Sequence, residues 1–368
     1  MQAPEQKLPR SCILGLRPYV PGKSMEEVQE KLGITDLVKL ASNENPLGPS
    51  PRAVEAMIQA FQDVRLYPDN ECRRLKKALS QRHGVAEQQI IVGRGSDEVI
   101  HMTGLAFLSE LDEALMAEPP FVLYEFTTQL MGATAVRVPL KNYTHDLEEM
   151  ASRANERTKL VFIANPNNPT GTIVRRRETQ WFLDSLPPTC IVVFDEAYAD
   201  YVEDPEFPDA LAWVREGRNV IVLRTFSKIY SLAGLRVGYG IAPVHLASYL
   251  EMVREPFNVS SVAQAAALAS LGDEEQVRRS LANNRQGKEF LYAEFRRMGL
   301  GYVPTEANFI FVDVGRDADK IFELLMSKGV IVRPGTSFGF STHLRITIGT
   351  PEQNARLAAA LEEVLKNG

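Results

Sequence analysis

The chain has 368 residues, 45% of them hydrophobic, and a formal net charge of −6. This is typical of one large domain with a smaller one beside it, and it argues against nucleic acid or an anionic membrane as a partner. Three scattered cysteines indicate no disulfide framework and no metal site, and we find neither a secretory signal nor a membrane span, so we expect a cytoplasmic protein.

The predicted elements begin with irregular chain that ends in the proline-rich stretch LASNENPLGPSP (40–51). Ser50 and Pro51 are typical of a helix N-cap and a first helical position, so a helix is predicted to follow. After it, helical stretches alternate with apolar runs that we predict as strands, over 89–93, 113–118, 158–165, 190–197 and 219–226. This alternation is typical of an α/β domain with a mostly parallel sheet covered by helices.

The pattern changes near residues 254–261, and a long charged helical region (273–298) follows. Three further apolar strands and a last helix complete the chain, which predicts a smaller α+β domain. We therefore predict a large domain over 46–255 and a small C-terminal domain over 256–368. Residues 1–45 are predicted to form an N-terminal segment that packs with the small domain.

Lys228 stands in TFSKIYSLAGLRVGYG (225–240), between hydroxyl-bearing residues and a run of small, apolar ones. The apolar runs on either side are predicted as buried strands, so Lys228 lies at the sheet edge where ligands of α/β proteins bind. Desolvation there favours the neutral amine, which can form a Schiff base with an aldehyde. A lysine that simply reaches solvent from a strand end explains this stretch equally well.

Two more predicted strands end in polar residues. Asp195, in VVFDEAYADY (192–201), follows an apolar run, where a carboxylate needs a cation or a donor. A protonated pyridine nitrogen would be such a partner, and a helix N-cap role is the alternative. Asn168, in NPNNPTG (165–171), could donate to an oxyanion, although a plain turn also explains the prolines of this motif.

The stretch GRGSDEV (93–99) links a predicted strand to a helix. Its free backbone N–H groups and the helix dipole favour a phosphate, although the two acidic residues of the stretch oppose an anion unless they point away. Thr225, Ser227 and Arg236 could complete the phosphate site. Together with the lysine, the aspartate and the asparagine, this set fits pyridoxal 5′-phosphate.

The motifs resemble those of the fold-type I aminotransferases, and within them the histidinol-phosphate aminotransferases. The resemblance runs from LRPYVPGK (16–23) to HLRITIGT (343–350), and its most specific pieces are ASNENPLGPSP, LYPD, GSDEVI, NPNNPTG, DEAY and TFSKIYSLAGLRVGYG. It implies an α/β fold with a mostly parallel, seven-stranded sheet in a large domain that binds pyridoxal 5′-phosphate, and a smaller α+β domain.

The resemblance also implies roles for individual residues. Lys228, Asp195 and Tyr198 are implied as the catalytic set. The implied cofactor contacts are Lys228, Ser96, Asp97, Phe121, Asn168, Asp195, Tyr198, Thr225, Ser227, Arg236 and, from the neighbouring subunit of a homodimer, Tyr67. Phe121 stands where the family usually has a tyrosine stacked on the ring, so stacking is kept and a hydroxyl is lost.

The implied reaction is transamination between L-histidinol phosphate and 2-oxoglutarate, giving imidazole-acetol phosphate and L-glutamate in histidine biosynthesis. One anion site is expected to take the phosphate of one substrate and the carboxylate of the other, a task that suits the planar arginine side chain. Its candidates are Arg333, Arg345 and Tyr19, with Asn43 as a further substrate contact. No metal is expected.

Three alternatives remain open. An aromatic amino-acid aminotransferase, or an enzyme that accepts both types of substrate, is the nearest one. A decarboxylase of phosphothreonine type shares much of the same pattern. A non-catalytic, cofactor-binding regulator would need an effector or DNA-binding segment, for which the sequence offers no candidate.

Overall fold

The structure is a computed structural model, and it describes residues 9–16, 18 and 23–367. Within these ranges the strands are β1 (Val38–Lys39), β2 (Ile90–Gly93), β3 (Glu113–Glu118), β4 (Thr134–Pro139), β5 (Thr158–Ala164), β6 (Ile191–Asp195), β7 (Val220–Thr225), β8 (Gly238–Ile241), β9 (Gly301–Val303), β10 (Phe309–Asp313), β11 (Val330–Ile331), β12 (Arg333–Pro334) and β13 (His343–Thr347). None of the described helices combines the length and the apolar character needed to cross a bilayer.

The helices are α1 (Met25–Leu32), α2 (Pro51–Phe61), α3 (Arg73–His83), α4 (Gly95–Phe107), α5 (Val122–Leu130), α6 (Leu147–Arg153), α7 (Arg176–Ser185), α8 (Ala210–Arg215), α9 (Val244–Val253), α10 (Ser261–Leu271), α11 (Glu274–Arg297), α12 (Ala318–Ser327) and α13 (Pro351–Asn367). The predicted start of α2 is confirmed, because the Ser50 hydroxyl accepts from the Ala53 N–H and Pro51 follows as the first helical residue.

The large sheet has seven strands in the order β2-β8-β7-β6-β5-β3-β4. All neighbours are parallel except β8, which pairs antiparallel with both β2 and β7. The central strands β5, β6 and β7 are almost wholly buried, because helices cover both faces of the sheet. The predicted α/β fold with a mostly parallel sheet is therefore confirmed, with one antiparallel strand.

A second sheet has four antiparallel strands in the order β12-β13-β10-β9 and packs under α11, α12 and α13. The short strand β1 lies parallel to β11, with Val38 opposite Val330, so the N-terminal chain is attached to this smaller layer. Helix α1 lies in the region that the sequence suggested to be irregular. It is capped by the Ser24 hydroxyl and ends at Gly33, whose φ of 67° closes the helix.

Helix α10 lies just beyond the predicted domain boundary at 255/256. Its buried alanines, Ala263, Ala266 and Ala267, belong to the core beneath the large sheet, where they pack beside Ala53 of α2. These small side chains allow two helices to approach closely. The C-terminal part of the chain therefore begins by packing on the large layer before it builds the small one.

Candidate active site

A cavity of about 590 Å³ lies where the carboxyl ends of β5, β6 and β7 meet the start of α4 and the small sheet. This is the sheet edge at which α/β proteins bind ligands. Of the residues singled out in the sequence, those that line the cavity are Asn43, Ser96, Asp97, Phe121, Asn168, Asp195, Tyr198, Thr225, Ser227, Lys228, Arg236, Arg333 and Arg345.

Asp195 is the last residue of β6, and its carboxylate is buried at the floor of the cavity. Oδ2 accepts from the Tyr124 hydroxyl at 2.7 Å, and Oδ1 accepts from the Ala197 N–H at 3.2 Å. Burial raises the pKa of Asp195 to about 6, and these two donors oppose that shift. No guanidinium or ammonium group in the described part of the chain forms an ion pair with this carboxylate, so it is suited to a cationic ligand.

Lys228 follows β7 and reaches the same cavity. Its Nζ donates to the Ser42 carbonyl at 3.3 Å and lies 5.5 Å from the centre of the Tyr198 ring. The Tyr198 hydroxyl accepts from Asn43 Nδ2 at 2.9 Å. The lysine amine is thus held between a backbone carbonyl and an aromatic face, at a distance where a ligand in the cavity can meet it.

Asn43 has its polar atoms engaged by the protein. Besides the bond to Tyr198, its backbone N–H donates to Thr347 Oγ1 at 2.9 Å, and its carbonyl accepts from Asn308 Nδ2 at 3.0 Å. Its φ of 55° lies in the left-handed region, which asparagine tolerates better than most residues. In this structure Asn43 therefore joins Tyr198 to the small sheet, and its role as a substrate contact stays a prediction.

Hydroxyl and guanidinium groups converge at one end of the cavity. Thr225 Oγ1 donates to Ser227 Oγ at 2.9 Å, and Arg236 Nη1 lies 3.5 Å from the same oxygen. Arg236 Nη2 also donates to Asp97 Oδ2 at 2.9 Å. Burial raises the pKa of Asp97, and Arg236 partly offsets that shift. The acidic residue that seemed to oppose an anion is thus paired with the arginine.

The second acidic residue of this stretch, Glu98, points away from the cavity. Its side chain accepts from the Arg94 N–H at 2.7 Å and from Asn258 Nδ2 at 2.6 Å. Strand β8 can approach the start of α4 because Gly238 lacks a side chain: a Cβ there would lie 2.5 Å from the Ser96 nitrogen. The geometry leaves the first turn of α4 open to an anion.

Two arginines of the small sheet face the other side of the cavity. Arg333 of β12 and Arg345 of β13 are register partners, so their side chains lie on the same face of the sheet. Arg345 donates to Asn168 Oδ1 and to the Ala41 carbonyl, both at 2.7 Å. With its oxygen engaged, the Asn168 amide offers Nδ2 to a ligand.

Sequence reasoning missed three residues that touch this constellation. Tyr124 donates to Asp195, the Ser42 carbonyl accepts from Lys228, and the Ala41 carbonyl accepts from Arg345. Backbone carbonyls leave no signal in a sequence. Tyr124 could have been predicted, because it follows Phe121 by three residues at the start of α5 and residues at this spacing lie on the same side of a helix.

One predicted site residue, Tyr67, does not line the cavity, and another, Tyr19, is not described. Tyr67 is 83% exposed and stacks on Phe257, with ring centres 4.8 Å apart, and it is not among the lining residues. Tyr19 lies outside the described residues. The roles of both stay predictions.

The residues present fit pyridoxal 5′-phosphate. Its ring nitrogen requires a carboxylate that is not already paired with a cation, and no residue that the structure describes forms an ion pair with Asp195. Its phosphate requires donors of the kind that Thr225, Ser227 and Arg236 supply beside an open helix N-terminus. Its aldehyde requires an amine within the same cavity, and Lys228 is there.

Comparison with known proteins gives concordant results. The family model for aminotransferase class I and II matches residues 35–361. The histidinol-phosphate aminotransferase of Moorella thermoacetica is 53% identical over 357 residues, which cover 97% of this chain and 92% of that protein. The enzyme of the same name from Caldicellulosiruptor saccharolyticus is 47% identical over 97% of this chain and 99% of its own.

Solved structures agree with these relatives. The histidinol-phosphate aminotransferase of Sinorhizobium meliloti, in complex with pyridoxal 5′-phosphate, superimposes with a TM-score of 0.90 at 28% identity and covers 99% of both chains. The aspartate aminotransferase of Thermus thermophilus with maleate has a TM-score of 0.83 at 21% identity and covers 96% of this chain and 98% of its own, which is a likeness of fold alone.

Proposed function

The chain belongs to the class I and II aminotransferase family, and from that premise we propose that it catalyses transamination between L-histidinol phosphate and 2-oxoglutarate. The products are imidazole-acetol phosphate and L-glutamate, and the reaction belongs to histidine biosynthesis. The observation that carries this proposal is the 53% identity, over 97% of the chain, to a protein named histidinol-phosphate aminotransferase. The cavity supports it with a lysine, a buried carboxylate and two arginines in one place.

The cofactor is pyridoxal 5′-phosphate, in keeping with the family and with the similar Sinorhizobium meliloti structure, which was solved in complex with it. When bound, it supplies an aldehyde that condenses with amines and a protonated ring that takes up an electron pair. We propose that Ser96, Thr225, Ser227 and Arg236 hold its phosphate. Asp97 supports Arg236 there through its 2.9 Å hydrogen bond.

Asp195, Asn168 and Tyr198 are proposed to hold the ring, with Phe121 against its face. Asp195 would accept the ring N–H, because its carboxylate is buried without a paired cation. Asn168 Nδ2 would donate to the ring oxygen, because the contact with Arg345 engages the amide oxygen. The Tyr198 hydroxyl, which already accepts from Asn43, has its own proton left to donate to the same oxygen.

Lys228 is proposed to hold the cofactor and then to move the proton of the reaction. Its Nζ would take the proton from the substrate carbon that bears the amine and would deliver it to C4′ of the cofactor, as general base and then general acid. The Ser42 carbonyl, 3.3 Å from Nζ, accepts a hydrogen bond from the protonated amine. The Tyr198 ring lies 5.5 Å from Nζ and offers its negative face to the same charge.

Arg333 and Arg345 are proposed to bind the anionic end of either substrate. Their side chains share one face of the small sheet, and Arg345 is held by Asn168 and Ala41, which limits the freedom it loses on binding. A planar guanidinium suits both a phosphate and a carboxylate. Tyr19 is proposed as an additional hydroxyl donor to the phosphate.

The proposed assembly is a homodimer in which Tyr67 reaches the cofactor phosphate of the neighbouring subunit. Tyr67 is 83% exposed, and two apolar side chains of the preceding helix α2, Ile58 and Phe61, are 62% and 60% exposed. Sedimentation should give a dimer, and Tyr67→Phe should weaken cofactor retention by roughly 1.5–3 kcal/mol, the worth of one hydrogen bond to a charged group. A cofactor-saturated, active monomer would refute the shared site.

The domain division at 1–45, 46–255 and 256–368 and the cytoplasmic location stay part of the proposal. The buried thiols of Cys72 and Cys190 are unpaired, in keeping with a reducing compartment. Limited proteolysis should test the division by cutting near its boundaries, and cell fractionation should test the location.

Cofactor attachment can be tested chemically. Borohydride reduction of the holoenzyme, followed by peptide mass mapping, should place the cofactor on Lys228. Lys288 is a matched control, because it is no more exposed than Lys228 and its Nζ also lies near a backbone carbonyl, Thr305 O at 3.4 Å. Lys228→Ala should abolish labelling and Lys288→Ala should not. A label that persists in Lys228→Ala would reject the assignment.

Substrate choice can be tested with a panel. We expect kcat/KM for histidinol phosphate to exceed that for phenylalanine and tyrosine, with 2-oxoglutarate as the acceptor. Arg345→Ala should impair both half-reactions, because each substrate presents an anion to the arginines. A preference for phenylalanine or tyrosine would favour an aromatic aminotransferase instead.

A further inference from the structure

Tyr124 is the one side chain that donates to Asp195 in the described part of the chain. Its hydroxyl lies 2.7 Å from Oδ2, and both residues are buried. Oδ1 receives the Ala197 N–H at 3.2 Å. Each carboxylate oxygen therefore accepts one protein hydrogen bond, and the second lone pair of each is left for a ligand.

The phenol ring is held firmly in this position. It stacks on Phe162 with ring centres 4.6 Å apart and planes 4° from parallel, and the Phe121 ring meets its edge at 5.5 Å. The residue lies in the first turn of α5, three residues after Phe121, the N-cap residue. The hydroxyl thus reaches Asp195 without the loss of side-chain freedom that a mobile donor would suffer.

The surrounding charges show what the hydroxyl does. Burial and the nearby Asp195 raise the pKa of Tyr124 well above its usual range, so it remains a donor. The other titratable groups that act on Asp195 are Asp97 and Lys228, with effects of opposite sign, and Tyr198 acts on Tyr124. Against burial, which raises the pKa of Asp195, the Tyr124 hydrogen bond is the largest opposing influence.

We propose that Tyr124 is a positioning residue that keeps Asp195 ionised and thereby keeps the proton on the ring nitrogen of the bound cofactor. The inference rests on the proposed function, because it requires that nitrogen to face Asp195. A hydrogen bond to a carboxylate stabilises its charged form. Without the phenol donor, Asp195 holds a proton more tightly and competes better with the ring nitrogen for the proton that they share.

The test is 15N NMR of holoenzyme prepared with cofactor labelled at the ring nitrogen. Wild type should give a signal near the protonated value. Tyr124→Phe keeps the stacking on Phe162 and removes only the donor. The equilibrium between the two proton positions should then move toward Asp195 by about tenfold to a hundredfold. If wild type lies at the protonated limit, the 6-fluoro analogue of the cofactor, with its less basic nitrogen, brings the balance into range.

Tyr239→Phe is the matched control. Tyr239 is equally buried, and its hydroxyl bonds His83 Nε2 at 2.9 Å, outside the cavity. Its removal should leave the nitrogen signal unchanged. If Tyr124→Phe fails to fold, 4-fluorophenylalanine at position 124 fills the space of the hydroxyl without donating, and it should give the same shift.

The outcomes separate the two proposals. A wild-type signal at the unprotonated value, or no cofactor binding, would refute the proposed role of Asp195. The inference would be overturned, and the proposed function left intact, if the wild-type nitrogen is protonated and its signal does not move when the Tyr124 donor is lost. This result must hold with both pyridoxal 5′-phosphate and its 6-fluoro analogue.

Discussion

Two carboxylates stand side by side at the end of β6 and have opposite surroundings. Asp195 faces the cavity and, among the described residues, receives only neutral donors, from Tyr124 and Ala197. Glu196 lies on the other side, where Arg224 Nη2 contacts its Oε2 at 2.5 Å and Nε contacts it at 2.8 Å. Burial raises the pKa of both acids. On the Glu196 side of the strand end, which we call the balanced side, the charge of the acid is neutralised by Arg224. On the Asp195 side, facing the cavity, the charge of the acid has no such partner among the described residues.

The balanced side carries further polar groups that do not line the cavity. Asp200 lies 3.9 Å from Arg224, and His83 bonds the Tyr239 hydroxyl at 2.9 Å. Burial, with Arg224 nearby, lowers the pKa of His83 to about 3, so this histidine is neutral. The comparison teaches that an unbalanced buried charge, more than burial itself, marks the side on which a ligand binds.

The largest expected contrast is in turnover. Asp195→Asn should lower kcat by about a hundredfold or more, because an amide cannot keep the cofactor ring protonated. Glu196→Gln, one residue away and on the balanced side, should leave kcat of the folded holoenzyme within about threefold, since it touches no ligand. Steady-state kinetics at saturating cofactor measures both. Equal losses of kcat in the two variants would show that the Asp195 side and the Glu196 side of β6 do not differ in their role in catalysis.

The next contrast is in stability. Glu196→Gln should lower the free energy of unfolding by up to about 3–5 kcal/mol, because it leaves the half-buried Arg224 with only Asp200, 3.9 Å away, as an acidic neighbour among the described residues. Asp195→Asn should not lower it. Urea unfolding of the cofactor-free proteins checks the pair. Replacing Glu196 and Arg224 together by leucine and methionine should recover most of the loss. No recovery would show that the loss does not come from the charge that Arg224 is left with.

A third contrast depends on pH. The pKa of Asp195 rises from 3.8 to about 6 on folding, so its contribution favours the folded state below pH 3.8 and is lost as pH rises through 6. In the cofactor-free protein, Asp195→Asn should therefore gain stability over wild type as pH rises. The gain should grow by about 1–2 kcal/mol between about pH 5 and pH 8. If the difference in unfolding free energy between Asp195→Asn and wild type did not change with pH, ionisation of Asp195 would not destabilise the folded protein.

The smallest expected effect sharpens the same boundary. Tyr239→Phe removes a neutral hydrogen bond on the balanced side and should cost about 1 kcal/mol of unfolding free energy. Cofactor affinity, measured by fluorescence titration, should stay the same. A loss of affinity would mean that the two sides of β6 are coupled.

Much of this arrangement could be predicted from the sequence. Lys228, Asp195 and Thr225 lie at the ends of apolar runs, and parallel strands bring such ends to one edge, so their meeting in a cavity follows from periodicity. The order of the strands could not be predicted in this way, because it is set by pairing between distant segments, such as β2 with β8. Periodicity also gives no direction for a strand, so the reversal of β8 needed coordinates.

Other parts needed coordinates for a different reason. Whether an acidic residue opposes a phosphate depends on where its side chain points, and Asp97 and Glu98 both find partners that one sequence cannot reveal. Helix α1 could have been predicted, because Met25, Val28 and Leu32 follow the Ser24 cap at helical spacing. Its signal is short, since it has eight residues and only Val28 is buried.

The contacts of residues 41–43 bear on the order in which the protein is made. Ala41 is bonded by Arg345, 304 residues further along the chain, and Asn43 is bonded by Thr347 at the same separation. A growing chain therefore contains Lys228, Asp195 and the proposed phosphate donors well before Arg333 and Arg345 are synthesised. The contacts that fix residues 41–43 at the cavity can form only after the last strand of the small sheet, β13, has been made.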